Sequence, residues 1–196
     1  MRLGSILTAD DLPLAELCAL RLDGELFPLD ECFTPIDQPD GPAQRARSLA
    51  VHCQDRLIAE QRSAAWIWGA TDVPPSRHTL CASIGARARP PHVQRALARE
   101  VVIEEGEWIE LGGVRVTLPL RTVVDLARFD WSATIAGELM RLYGITLDDC
   151  RAELDRRHNL PNKVRAWKRL SADSTKPPAD PPLAAASHSH GRPRES

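Results

Sequence analysis

Apolar positions divide the chain into short helices and short strands. Leu14, Leu17, Cys18 and Leu22 recur at helical spacing and predict a helix that Asp23-Gly24 stops. Thr8 with Asp11 three places on reads as its capping start. Residues 25–36 look extended, with Leu26, Phe27, Leu29, Cys32, Phe33 and Ile36 as the apolar set; Pro28 and Pro35 favour edge positions. Residues 37–42 are turn-rich and form the best boundary. A long helical stretch is expected over 43–68, with Ala46, Leu49, Ala50, Cys53, Leu57, Ala64 and Trp68 along one face, a break near 60–62, and Gly69 as C-cap. Strands are expected at 79–84, 101–104, 108–111 and 114–118, and Gly112-Gly113 signals a hairpin between the last two. Pro119 is placed to open a helix through Phe129. Further helices follow over 132–142, from a capping box at Thr146 to about 158, and over 163–170. From Ser171 onward the chain is Pro, Ala, Ser and His without apolar periodicity, which predicts a disordered tail.

The pattern describes an α+β protein: a degenerate winged-helix-like N-terminus over 1–42, an α+β core over 43–130 with a small mixed or antiparallel sheet packed on helices, a helical C-terminus over 131–170, and a tail over 171–196. At 196 residues, with 43% hydrophobic and 27% charged residues, such a chain can bury an ordinary core. No apolar run reaches about 18 residues, so no membrane span is expected and a cytoplasmic location is the default. The five cysteines are scattered with no C-x-x-C pair, as reduced core thiols would be. Arginine outnumbers lysine 22 to 3, and Ala and Pro are abundant, which points to a GC-rich bacterial genome.

Charge adds organisation that the net value of −2 hides. Residues 1–42 carry −7, residues 43–102 carry +5, residues 103–149 carry −5 and residues 150–196 carry +5. A polyanion would meet the second and fourth blocks. The alternative is that these blocks pair with the first and third inside the fold. The candidate nucleic-acid contacts are Arg77, Arg87, Arg89, Arg95 and Arg99 in one basic set, and Arg156, Arg157, Lys163, Arg165, Lys168 and Arg169, with Trp167 interleaved, in the other.

The lysines Lys163, Lys168 and Lys176 are preceded two places back by Pro161, Ala166 and Ser174, so the Asp…(Asp/Glu)-x-Lys nuclease pattern is missing. The chain has no G-x-S-x-G elbow and no phosphate-binding glycine loop. His78 and Cys81, with His92 downstream, make at most half a zinc site. His52 and Cys53 are adjacent on an expected helix and diverge by about 100°. No cofactor and no metal are expected. Arg121 and Asp125 stand four apart and can pair, pinning the strand-to-helix corner. Trp66 and Trp68 point in different directions, so one is expected in the core and the other partly exposed as an interface candidate.

Two segments, Ser63-Ala64-Ala65-Trp66-Ile67-Trp68-Gly69-Ala70 and Gly112-Gly113-Val114-Arg115-Val116-Thr117-Leu118-Pro119-Leu120-Arg121-Thr122-Val123-Val124-Asp125-Leu126-Ala127-Arg128, resemble the abortive-infection AbiEi antitoxin family of bacterial type IV toxin–antitoxin systems. The resemblance covers about residues 43–129. It implies a winged-helix N-terminus that binds operator DNA, a C-terminal part that antagonises a nucleotidyltransferase-like toxin, and no enzymatic activity. It marks Trp66, Trp68, Gly69, Arg121, Thr122 and Asp125 as motif residues. The chain departs from the pattern at its acidic first block, whose helix carries only Arg21, and in having no appended nuclease domain. The expected function is therefore a non-enzymatic antitoxin-like or transcriptional regulatory protein with DNA and a toxin as partners. The alternatives are a protein-binding module or an inactive nuclease relative.

Overall fold

A computed structural model describes residues 4–50, 56–84, 95–157 and 160–173. It is an α+β fold. The N-terminal unit is helix α1 (Leu14–Leu22) followed by the antiparallel hairpin β1 (Leu26–Leu29) and β2 (Cys32–Pro35), with Leu7 bridged to Phe33. The Thr8–Asp11 pair forms a tight turn before the helix, and the N-cap position belongs to Pro13, so the expected capping start is corrected. Leu7, Leu17 and Leu26 make a small core there.

The long helix expected over 43–68 is two helices, α2 (Pro42–Ala50) and α3 (Gln61–Ile67), separated by a two-residue strand, β3 (Ile58–Ala59). Leu57, Ile58 and Ala59 are all buried, and a short continuous apolar run does not distinguish buried strand from buried helix. Gln61 carries a φ of 49°, and that left-handed residue turns the chain from β3 into α3. The remaining strands are β4 (His78–Ser83), β5 (Ala96–Val101), β6 (Trp108–Leu111) and β7 (Val114–Thr117). The five-stranded sheet runs β5-β4-β3-β7-β6: β3 is antiparallel to β4 and parallel to β7, β4 is parallel to β5, and β6 is antiparallel to β7. The strand expected at 101–104 ends at Val101 and starts at Ala96; on this exposed edge Leu97, Ala98 and Glu100 face solvent, which erased the alternation.

Gly112 and Gly113 form the two-residue turn of the β6–β7 hairpin, with φ of 56° and 87°. A Cβ on Gly112 would lie 2.5 Å from the Ala43 carbonyl oxygen and 2.6 Å from Arg47 Cγ, whereas one on Gly113 meets nothing. Gly112→Ala should cost roughly 2–4 kcal/mol from strain plus clash, and Gly113→Ala only about 1 kcal/mol. Equal costs in chemical denaturation would contradict this packing of α2 on the hairpin.

Helix α4 (Pro119–Phe129) starts with Pro119 in its first turn and is buried on all sides from Arg121 to Arg128. It packs between α3 and the C-terminal helices α5 (Ala133–Tyr143), α6 (Leu147–Arg156) and α7 (Lys163–Asp173). Thr146 and Asp149 form the capping box of α6, and Gly144 ends α5 in the left-handed region. Residues 171–173 continue α7, which corrects the expected start of the tail; residues 174–196 lie outside the described residues. Two larger cores result, one under the sheet around Trp66 and Leu80, the other around Leu126, Leu139 and Leu154. No helix among the described residues is long and apolar enough to cross a membrane.

Candidate functional site: arginines around the C-terminal helices

The motif residues are framework. Trp66 is fully buried. Trp68 is half-buried, donates from Nε1 to the Thr117 carbonyl at 2.8 Å, and meets Tyr143 edge-on at 5.4 Å. Gly69 follows α3 with φ of 86°. The Thr122 hydroxyl, also buried, bonds the Leu118 carbonyl at 2.9 Å and the Thr117 hydroxyl at 2.8 Å, which closes the strand-to-helix corner.

Beside Thr122, α4 carries charge into the core. Asp125, 1% exposed, accepts from Arg121 Nε at 2.7 Å and from Arg128 Nη1 at 2.6 Å. Arg121 also reaches Glu107 at 2.9 Å, and Arg128 Nε reaches the Pro161 carbonyl at 2.9 Å. Glu60, at the end of β3, holds Arg99 with both oxygens at 2.5 and 2.7 Å. Burial pushes the Glu60 carboxyl above its usual range, with Arg99 opposing. Burial likewise pulls the Arg128 guanidinium down, with Asp125 opposing.

The ring of Phe129 receives the guanidinium carbons of Arg99 and Arg128 at 4.2 and 4.5 Å from its centre. Arg99, Arg121, Arg128 and Arg157 line a cavity of about 430 Å³, whose apolar wall includes Ile84, Val102, Leu160 and Pro161. On the other side of Leu160, a shallow groove of about 590 Å³ is lined by Asn162, Lys163, Val164, Arg165 and Lys168.

The basic residues expected to meet a polyanion separate into two groups. Arg95 pairs with Glu31 at 2.7 Å, Arg99 with Glu60, Arg156 with Glu153 and Glu107 at 2.8 Å each, Arg157 with Glu107, and Lys163 with Asp155 at 2.9 Å. Arg169 donates to the Ala127 carbonyl at 2.8 Å. Arg95–Glu31, Arg156–Glu107 and Arg157–Glu107 join the positive second and fourth blocks to the negative first and third, as the internal-pairing alternative has it, whereas Arg99–Glu60, Arg156–Glu153 and Lys163–Asp155 pair within their own blocks. Arg77, Arg165 and Lys168 are exposed, and their side chains make no hydrogen bond or ion pair among the described residues. Arg87, Arg89, His92, His52 and Cys53 lie outside the described residues.

His78 occupies a different position from the one a half zinc site would give it. Its Nδ1 lies 3.1 Å from Ser63 Oγ and its Nε2 lies 2.9 Å from Asp30. This is a Ser–His–Asp hydrogen-bond chain, but Ser63 is 0% and His78 1% exposed, and Ser63 Oγ also accepts the Thr79 amide. A nucleophile needs room for a substrate. The chain instead braces the β1–β2 hairpin against β4 and α3. Burial raises the Cys32 and Cys150 thiols to about 11 each and pushes the Cys81 thiol up further, which suits inert core cysteines.

Sequence patterns missed Arg45, Asp30, Glu60, Glu107 and Arg128. Arg45 joins Asp40 through two bonds at 2.7 and 2.9 Å and caps the Trp66 and Thr71 carbonyls at 2.8 Å. Only Arg128 carried a local signal, its i−3 spacing to Asp125. The other four meet their partners through the tertiary fold.

No protein-family model and no curated protein matches the chain. Among solved structures, it is similar to a crystal structure of the RV2827C protein from Mycobacterium tuberculosis, at 17% identity and a TM-score of 0.45, over 87% of this chain and 71% of that one. A likeness of that size carries no functional inference.

Proposed function

We propose that the protein is a non-enzymatic regulator of the AbiEi antitoxin type, which binds DNA through the cationic groove at the start of α7 and acts against a nucleotidyltransferase-like toxin. The observation that carries the DNA-binding part is the exposure of Arg165 and Lys168, which make no ion pair among the described residues, in a groove that also holds Lys163. Exposed cations without internal partners remain available to phosphates. Trp167, on the same helix, carries the Arg151 guanidinium 4.6 Å from its ring centre. The acidic N-terminal unit is left out of the contact, because exposed Asp10, Asp11, Glu16, Asp23 and Glu25 would repel phosphates.

The test is fluorescence anisotropy with duplex DNA from upstream of the protein's own gene. The reading expects salt-dependent binding, weakened by about tenfold or more at moderate salt in Arg165→Glu/Lys168→Glu. No binding at low salt, or an unchanged affinity in that variant, rejects the DNA role.

A second reading, a protein-binding module, is favoured by α1. Leu14 and Leu22 are 61% and 86% exposed, and exposed Cys18 lies between them on the same face. The surrounding carboxylates would suit a partner that presents an apolar ridge flanked by lysine and arginine. Of the two tryptophans expected to divide between core and interface, Trp66 is in the core and cannot serve, and Trp68 is half-buried with its Nε1 bonded to the Thr117 carbonyl.

A further inference from the structure

We propose that the cavity between α4, β5 and the end of α6 is a binding site for a phosphomonoester of about nucleotide size. Four guanidinium groups converge there: Arg99, Arg121, Arg128 and Arg157. The internal partners of the first three leave donors over. Arg99 engages Glu60 through Nε and Nη2, Arg121 engages Asp125 and Glu107 through Nε and Nη1, and Arg128 engages Pro161 and Asp125 through Nε and Nη1. Arg99 Nη1, Arg121 Nη2 and Arg128 Nη2 therefore make no hydrogen bond among the described residues.

Arg157 adds a stronger sign. Its Nη2 is ion-paired to Glu107 and its Nη1 donates to the Val102 carbonyl at 3.4 Å, while its Nε is buried without a hydrogen-bond partner in a side chain only 13% exposed. Buried guanidinium donors left open are costly unless something accepts from them.

The open donors favour an anion. Behind the four arginines stand three buried carboxylates, Glu60, Glu107 and Asp125. They hold the guanidinium groups in place, so an anion would be recognised by the N–H groups left over and not by a surplus of positive charge. Glu100 and Glu104 are at the rim, exposed to water, and Arg156 takes Glu104 at 3.2 Å. Planar guanidinium groups with several free N–H edges match a phosphate dianion better than they match a single carboxylate.

Size and lining favour an ester over the free ion. A cavity of about 430 Å³ is larger than one phosphate needs, and Ile84, Val102, Leu160 and Pro161 give the organic part an apolar wall. Phe129, also in the lining, holds the Arg99 and Arg128 guanidinium groups against its ring. This site is separate from the α7 groove and stands whether or not that groove binds DNA.

Isothermal titration calorimetry of the full chain without DNA tests it. The probes are a nucleoside monophosphate, the same nucleoside without phosphate, and inorganic phosphate. The expected result is saturable binding of the monophosphate, about tenfold weaker binding of phosphate, and no heat from the nucleoside. Arg157→Gln should weaken the monophosphate by about tenfold or more. Val102→Trp, at an exposed rim position that makes no side-chain ion pair, should abolish it by filling the mouth while the melting temperature stays unchanged. No monophosphate binding at millimolar concentration overturns the proposal. So does equal binding of nucleoside and monophosphate, or undiminished binding in a folded Val102→Trp. Phosphate binding as tightly as the ester would reject the nucleotide-sized ligand. Since DNA is absent, failure here leaves the α7 reading untouched, and failure of DNA binding leaves this result intact.

Discussion

Asp125→Ala should lower the free energy of unfolding by about 3–5 kcal/mol, the largest loss expected from any single charged residue in the chain. Asp125 is 1% exposed and is the shared acceptor of Arg121 and Arg128, which are 5% and 4% exposed. Removing it leaves Arg128 without a carboxylate and Arg121 with Glu107 alone. Two guanidinium groups would then remain in a helix enclosed on all sides. The Arg121 Nε and Arg128 Nη1 donors that face Asp125 would lose their acceptor there. Removing charges together should be gentler: Asp125→Leu with Arg128→Met deletes a cation with its anion and leaves the Arg121–Glu107 pair intact. Urea unfolding of the three proteins decides the matter. A double variant less stable than Asp125→Ala would mean that packing around Arg128, and not charge compensation, dominates this helix.

Trp66→Ala should cost about 3–5 kcal/mol, and Trp66→Phe far less. The indole is fully buried beneath the sheet, with the His78 ring centre 6.0 Å away and the Arg45 guanidinium 5.8 Å from its own. Its Nε1 is buried without a hydrogen-bond partner. Phenylalanine loses volume but also removes that orphaned donor, whose burial costs roughly 1–3 kcal/mol. The two effects offset, so Trp66→Phe should fall within about 1 kcal/mol of the parent. Alanine removes the whole ring and leaves a cavity that Arg45 and His78, both held by their own bonds, cannot close. Equal losses in the two variants would show that the N–H, and not the ring, matters.

These two residues also mark how far the fold was legible in the sequence. Local signals were read where a short-range cause fixes the structure. Gly112-Gly113 demanded a hairpin, Pro119 opened α4, the Thr146–Asp149 box opened α6, and the Arg121–Asp125 spacing gave its ion pair. The division of 43–68 was missed because Leu57, Ile58 and Ala59 continue the apolar run of the flanking helices. Only tertiary pairing to Leu80, Cys81, Arg115 and Val116 makes them a strand. The candidate site was legible by residue type and not by state. Arg95, Arg99, Arg156 and Arg165 look alike in the chain, yet the first three end on carboxylates 39 or more positions away or one turn back, and the last is exposed. Their separation depends on where Glu31, Glu60 and Glu153 are carried by the fold.

Paired arginines brace the fold, and in the proposed DNA contact a few exterior cations without ion pairs meet the phosphates. The most direct measurement compares two variants of equal charge change, Arg165→Ala/Lys168→Ala and Arg95→Ala/Arg156→Ala, in DNA affinity across a salt series. The first pair should reduce the slope of log affinity against log salt by about 1.8, at about 0.9 per phosphate contact, and the second should leave it near the parent value. Equal reductions from the two pairs, or a larger one from the second, would contradict the division.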